Sequence, residues 1–205
     1  MLKFILLFLP LLIILIIKKL SSRKEGILGK YTRPLIKAIT NRLPVKVLCG
    51  PNGKPFLFRY HLLALTPDGP GLCIHHFVDS DPDRGFHDHP WMHALSFVLA
   101  GSYEEKLNPS LPNEKGRLVS TGNFNYLHGI KSRHRVMIAD GEDGWTFFMF
   151  GKRRKGWGFY NIMENGELHY KPMTTEIKDN DGGWWKTASK GREVLHRWEK
   201  KTKDN

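Results

Sequence analysis

Asp81-Pro82-Asp83-Arg84-Gly85-Phe86-His87-Asp88-His89-Pro90-Trp91, running on into the apolar stretch His93 to Gly101, decides how the chain is read. His87 and His89 stand two residues apart. On an extended backbone successive side chains alternate faces, so both imidazoles point the same way and can share one metal ion. Pro82 and Gly85 before the pair mark a turn and Pro90 ends the segment, which sets the histidines where a loop feeds a sheet. A third histidine, His134, opens another strand-like run, His134 to Ala139, after a loop that contains Gly129. Three imidazoles on separate elements of one sheet point to a metal site.

Working outward, the texture from Phe56 onward is one of short runs rich in β-branched and aromatic residues. These are Phe56 to Leu65, Gly71 to Val78, His93 to Leu107, Arg117 to Leu127, His134 to Ala139, Trp145 to Gly151, Trp157 to Asn161 and Glu167 to Lys171. Turn signals separate them, among them Asp68-Gly69-Pro70, Asp140-Gly141 and Asn165-Gly166. Eight strands at this spacing predict an all-β barrel or sandwich. Upstream, Arg33 to Ile39 with Pro34 in its first turn reads as a short helix. Downstream, Ala188 to Lys201, with Val194, Leu195 and Trp198 apolar among charges, reads as a C-terminal helix.

The motif resembles that of the cupin superfamily, RmlC-like barrels with one metal inside. His87, His89 and Gly101 occupy the positions of the first cupin motif, and His134 takes the place of the second-motif histidine. Asp83-Arg84, His87 to Trp91, Ser96-Phe97-Val98-Leu99 and Gly156-Trp157-Gly158-Phe159 look more closely like a group of cupin-like proteins compared with cysteine dioxygenases. The resemblance covers roughly residues 55 to 172. It implies an antiparallel double-stranded β-helix, with His87, His89 and His134 holding one divalent transition metal, Fe(II) favoured over Zn, Ni or Cu. Departures are plain: the usual glutamate slot falls on Ala94 or His93, the leading glycine is Asp81, Gly129 and Lys131 stand for a proline and a glycine, and Ile138 replaces an asparagine. With no carboxylate in that slot, the site is expected to be a three-histidine cupin like the thiol dioxygenases.

Asp83 and Asp88 flank the ligand pair and serve either as acceptors that orient an imidazole or as turn formers. His93 shares the strand parity of His89 and is a fourth candidate; His61, His75, His76 and His128 are read as structural. Arg59 and Tyr60 in the first strand, and Arg153, Arg154 and Trp157 near the last turns, are the candidate substrate contacts, a planar guanidinium being suited to a carboxylate or phosphate. The expected activity is that of a non-haem Fe(II) dioxygenase or oxidoreductase on a small molecule. A non-enzymatic ligand-binding or interaction module, and a metal-independent sugar-nucleotide isomerase, remain alternatives.

The chain has 205 residues, enough for one domain with extensions, and a formal charge of +12 spread over both termini and several loops, which reads as a solvated basic surface or, alternatively, as suited to membrane headgroups or an anionic substrate. No nucleic-acid motif accompanies the charge. Cys49 and Cys73 are too few for a disulfide framework and fit a reducing compartment. Phe4 to Ile17 is an apolar run, broken in character only by Pro10, with Lys3 before it and Lys18, Lys19, Arg23 and Lys24 after it. As a helix it spans about 21 Å, short of the roughly 30 Å hydrocarbon core unless snorkelling lysines extend it. An uncleaved membrane anchor is expected, and the positive flank favours a cytosolic body over the alternative, secreted or luminal orientation. The organisation that follows is anchor 1–20, linker with a short helix 21–54, barrel 55–178, and C-terminal helix and tail 179–205.

Overall fold

A computed structural model of the chain describes residues 27–66, 68–82, 85–107, 116–129, 131–173 and 184–203. A helix, α1 (Ile27–Thr40), leads into eleven strands: β1 (Val45–Cys49), β2 (Pro55–Ala64), β3 (Gly71–Phe77), β4 (Phe86–His87), β5 (His93–Leu107), β6 (Arg117–Ser120), β7 (Phe124–His128), β8 (His134–Met137), β9 (Gly144–Phe150), β10 (Gly158–Ile162) and β11 (Leu168–Pro172). A single 3-10 turn, Trp184–Lys186, and a second helix, α2 (Gly191–Lys203), close the described chain. The expected anchor at residues 1–20 lies outside the described residues, among which no helix is long and apolar enough to cross a membrane.

Every strand pairing is antiparallel, and β5 organises them. Its N-terminal half pairs with β9 on one side and β7 on the other; its C-terminal half pairs with β8 and β6. One sheet therefore runs β1-β2-β3-β9-β5-β7 and the other β6-β5-β8-β4-β10-β11, the long strand passing from one to the other. This is the strand arrangement of an antiparallel double-stranded β-helix. The crossing is made where the register slips between Val98 and Ala100 and the chain bends at Gly101, whose φ is +73°. A side chain there would be strained by the backbone angle and would also put a Cβ 1.9 Å from the Asp143 carbonyl.

Outer and inner faces divide by strand parity. On the outside of the first sheet Phe58, Tyr60, Ile74 and Trp145 form a core with Ile36 of α1 and Val194 of α2. The inside faces of the two sheets enclose a cavity of about 350 Å³. Two differences from the sequence reading are local. Residues 45–49, expected to be linker, form β1 and pair with β2, so the sheet starts before Phe56. The expected strand Arg117 to Leu127 is split at Thr121-Gly122-Asn123, because Gly122 turns the chain with φ +88° and sends the two pieces to opposite halves of β5.

Candidate metal centre

Register alone brings two of the histidines together. His87 in the two-residue strand β4 is the direct cross-strand partner of His134, the first residue of β8. Gly85 makes the approach of β4 to β10 feasible: its φ is +94°, and a Cβ would lie 2.5 Å from the Tyr160 carbonyl. His89 follows two residues on, its neighbour Asp88 donating its backbone N–H to Gly158 so that the segment stays extended against β10. The ring centroids form a near-equilateral triangle, 4.5 Å for His87–His134, 5.0 Å for His89–His134 and 5.1 Å for His87–His89. One ring nitrogen from each lies within 4.8 Å of the other two. Nitrogens bound to one ion at about 2.0–2.2 Å lie about 3.0–3.6 Å apart, so the rings would draw slightly closer to share one.

Carboxylates hold the rings from behind. Glu105 is fully buried and lies 2.5 Å from His134 Nδ1, which leaves Nε2 of that ring facing His89 Nε2 at 2.9 Å. Glu105 in turn accepts from Arg117 Nε at 2.7 Å and from Asn125 Nδ2 at 2.6 Å. Burial by itself would raise the Glu105 carboxyl, but the hydrogen bonds from His134, Arg117 and Asn125 outweigh it and hold the group below the usual range, as an anion. Asp81 places Oδ2 3.5 Å from His87 Nδ1 and accepts the Val136 amide at 2.8 Å. His89 is driven well below the ordinary imidazole value, first by burial and then by His134 and His87, so it is a neutral donor. Two anchored rings and one neutral one form a donor set that fits a divalent transition metal.

The other expected site residues fall into three groups. Arg59 and Trp157 line the same cavity, as does Arg153, whose segment is bridged to Trp91. Arg59 Nε donates to His75 Nε2 at 3.1 Å, and burial lowers both groups from their ordinary values. Tyr60, by contrast, faces away: it is the neighbour of Arg59 on one strand, so only one of the two can point inward, and Tyr60 packs on Trp145 at 6.1 Å beneath the helices. Asp88 accepts from Lys155, from the Gly158 amide at 2.8 Å and from the Tyr160 hydroxyl at 3.2 Å, and so holds the segment that carries Trp157. His93 stands exposed beside Leu63, Leu65 and Met149, outside the cavity, bonded to Tyr126 at 2.5 Å. Its parity with His89 fails because residues 88–92 are not a continuous strand, and the alternation restarts at β5. Arg154 offers its backbone amide to Pro90 and is exposed. Asp83 lies outside the described residues.

Glu105 and Asp81 complete the site without a motif signal of their own, and His75, read as structural, instead lines the cavity and accepts from Arg59. Asp81 sits at the position of the motif's leading glycine, and that departure was its only signal.

No family model matches the chain, and no curated protein does. Solved structures similar to it include the polyketide cyclase RemF from Streptomyces resistomycificus, at 18% identity over 55% of this chain and 77% of that one, with a TM-score of 0.42. DMSP lyases described as RdDddP and RnDddQII match at 14% identity over 76% of this chain and 77% of that one, TM-score 0.45. Fe(II)-HppE with the alternative substrate (S)-1-HPP matches at 15% identity over 54% of this chain and 57% of that one, TM-score 0.42. The strand pairing makes the chain an antiparallel double-stranded β-helix barrel, and its inner face carries a three-histidine cluster.

Proposed function

We propose that the chain is a metal-dependent oxidoreductase, with Fe(II) as the favoured ion, acting on a small anionic molecule and tethered to a membrane by residues 4–17 with its barrel on the cytosolic side. One observation carries the reading: three converging imidazoles share a largely apolar cavity with a buried guanidinium, Arg59. His87, His89 and His134 would hold the ion, which when bound supplies Lewis acidity and, as Fe(II), redox chemistry. Everything else is done by the chain. Glu105 and Asp81 fix ring orientation, and burial keeps His89 unprotonated. Trp91, Phe148 and Trp157 give the cavity apolar walls, and a low-polarity lining strengthens the attraction between Arg59 and a substrate carboxylate or phosphate. His75 holds the Arg59 fork by its Nε and leaves the planar end for a two-point contact.

The test is metal analysis of the full chain purified in detergent, before and after anaerobic reconstitution with Fe(II) and, separately, with Zn(II). One ion per chain is expected after loading. A chain that retains no stoichiometric ion from either treatment removes the reading. The His134–Glu105 pair also favours a second one, metal-independent proton transfer with His134 as base. Activity that survives exhaustive chelation but not His134→Ala would establish that reading instead.

A further inference from the structure

α1 carries two apolar faces. Its inner face, Ile36 and Thr40, is buried against the outside of the first sheet, and Arg33 pins it there through an ion pair with Asp143. The opposite face presents Tyr31, Leu35 and Ile39, which are 70%, 62% and 40% exposed. Spacing of four residues puts the three one above another in a single stripe, and the exposed Pro34 and Ala38 lie alongside. Three large apolar side chains in line on a surface helix need an occupant that removes them from water.

The chain around this stripe indicates which occupant. Between Lys18 and Arg42 the basic residues are Lys18, Lys19, Arg23, Lys24, Lys30, Arg33, Lys37 and Arg42, against one acidic residue, Glu25. The apolar run Phe4 to Ile17 ends nine residues before α1 begins, and nine residues span at most about 30 Å even when fully extended. If that run enters a bilayer, α1 is the first described element and is held close to the headgroups. A tyrosine at the start of the stripe, with lysines and arginines beside it, is the composition of a helix lying in the interfacial plane.

We propose that the Tyr31, Leu35 and Ile39 face of α1 lies on the surface of an anionic phospholipid bilayer and fixes the orientation of the barrel on it. The inference rests on the anchoring proposed for residues 4–17.

The experiment uses the full chain in a Cys49→Ser background with one environment-sensitive dye, either at Leu35→Cys or, as control, at Glu164→Cys in the exposed turn between β10 and β11. Cys73 is buried and does not compete for the label. The protein is bound to phosphatidylcholine vesicles with or without phosphatidylserine, isolated by flotation, and exposed to lipids spin-labelled on the acyl chain. Expected is flotation, a blue-shifted Leu35 label quenched by at least twofold more than the Glu164 label, and weaker quenching when phosphatidylserine is omitted. Flotation with a Leu35 label that is blue-shifted but unquenched means that protein covers the stripe, either residues 1–26 or a second copy, and overturns the proposal while keeping the anchor. Flotation with a label that stays in water overturns it as well. Equal quenching on neutral vesicles overturns the requirement for anionic lipid, and failure to float overturns both the anchor and the docking.

Discussion

Two histidine–carboxylate–arginine sets sit on opposite faces of this barrel wall, alike in chemistry and unlike in consequence. Inside, His134 meets Glu105 at 2.5 Å and Arg117 braces the carboxylate. Outside, His76 meets Asp143 at 2.8 Å, and Arg33 of α1 braces that one. The difference lies in the nitrogen left over. His134 Nε2 faces His89 within the cavity. His76 bonds through Nε2, keeps Nδ1 buried with no partner among the described residues, and stacks its ring 3.7 Å from Trp145. A carboxylate-backed imidazole is thus a fastener in one place and a candidate metal ligand in the other, decided by what its far nitrogen faces.

Replacing the two histidines should separate these roles most sharply. His134→Ala is expected to weaken Zn(II) or Fe(II) binding by more than about a hundredfold, measured by chelator competition, since it removes a ligand outright. His76→Ala should leave metal binding unchanged and lower stability by about 1–3 kcal/mol in denaturant unfolding, because Asp143 loses a buried partner. Next come the carboxylates: Glu105→Gln should cost about 10–100-fold in metal affinity and Asp143→Asn nothing. Equal effects of these last two would erase the distinction between the sets.

Acid should read the outer set directly. Burial would raise Asp143, but His76 and Arg33 bring its carboxyl down to about 2 from an ordinary 3.8. A depressed folded-state value contributes stability that is complete above the unfolded value and lost as pH falls from near 3.8 through about 2. The carboxylate is partly exposed, so after solvent screening the contribution is about 1 kcal/mol. Unfolding of the unaltered chain should therefore steepen across that window, and in Asp143→Asn that component should vanish. The smallest effect belongs to His93→Ala, expected to change stability by no more than about 0.5 kcal/mol and metal content not at all, since the side chain is exposed outside the cavity.

Which parts of this were legible in the sequence follows from where the backbone is regular. His93 to Leu107 reads as a strand and is one with those same ends, and His134 opens its strand as expected. The convergence of His87, His89 and His134 needs only an extended pair and one register. Glu105 was invisible for a definite reason. Counting alternation from Ser96, which lines the cavity, turns Glu104 inward; the slip between Val98 and Ala100 exchanges the faces, so Glu104 is exposed and Glu105 buried. The same sensitivity removed His93 from the cavity. The N-terminal anchor has no structural counterpart among the described residues, and its standing depends on flotation.

Gly101 turns β5 into a mechanical joint. The residue lies where the strand leaves one sheet for the other, against the Asp143 carbonyl and 3.1 Å from Arg33 Nη2, measured from the position a Cβ would take. Four residues further along the same strand is Glu105. A single methyl group at position 101 has no room unless β5 parts from β9, and a rigid strand carries that displacement inward. The outer ion pair thus packs against the strand that carries the inner carboxylate, at a residue that tolerates no side chain.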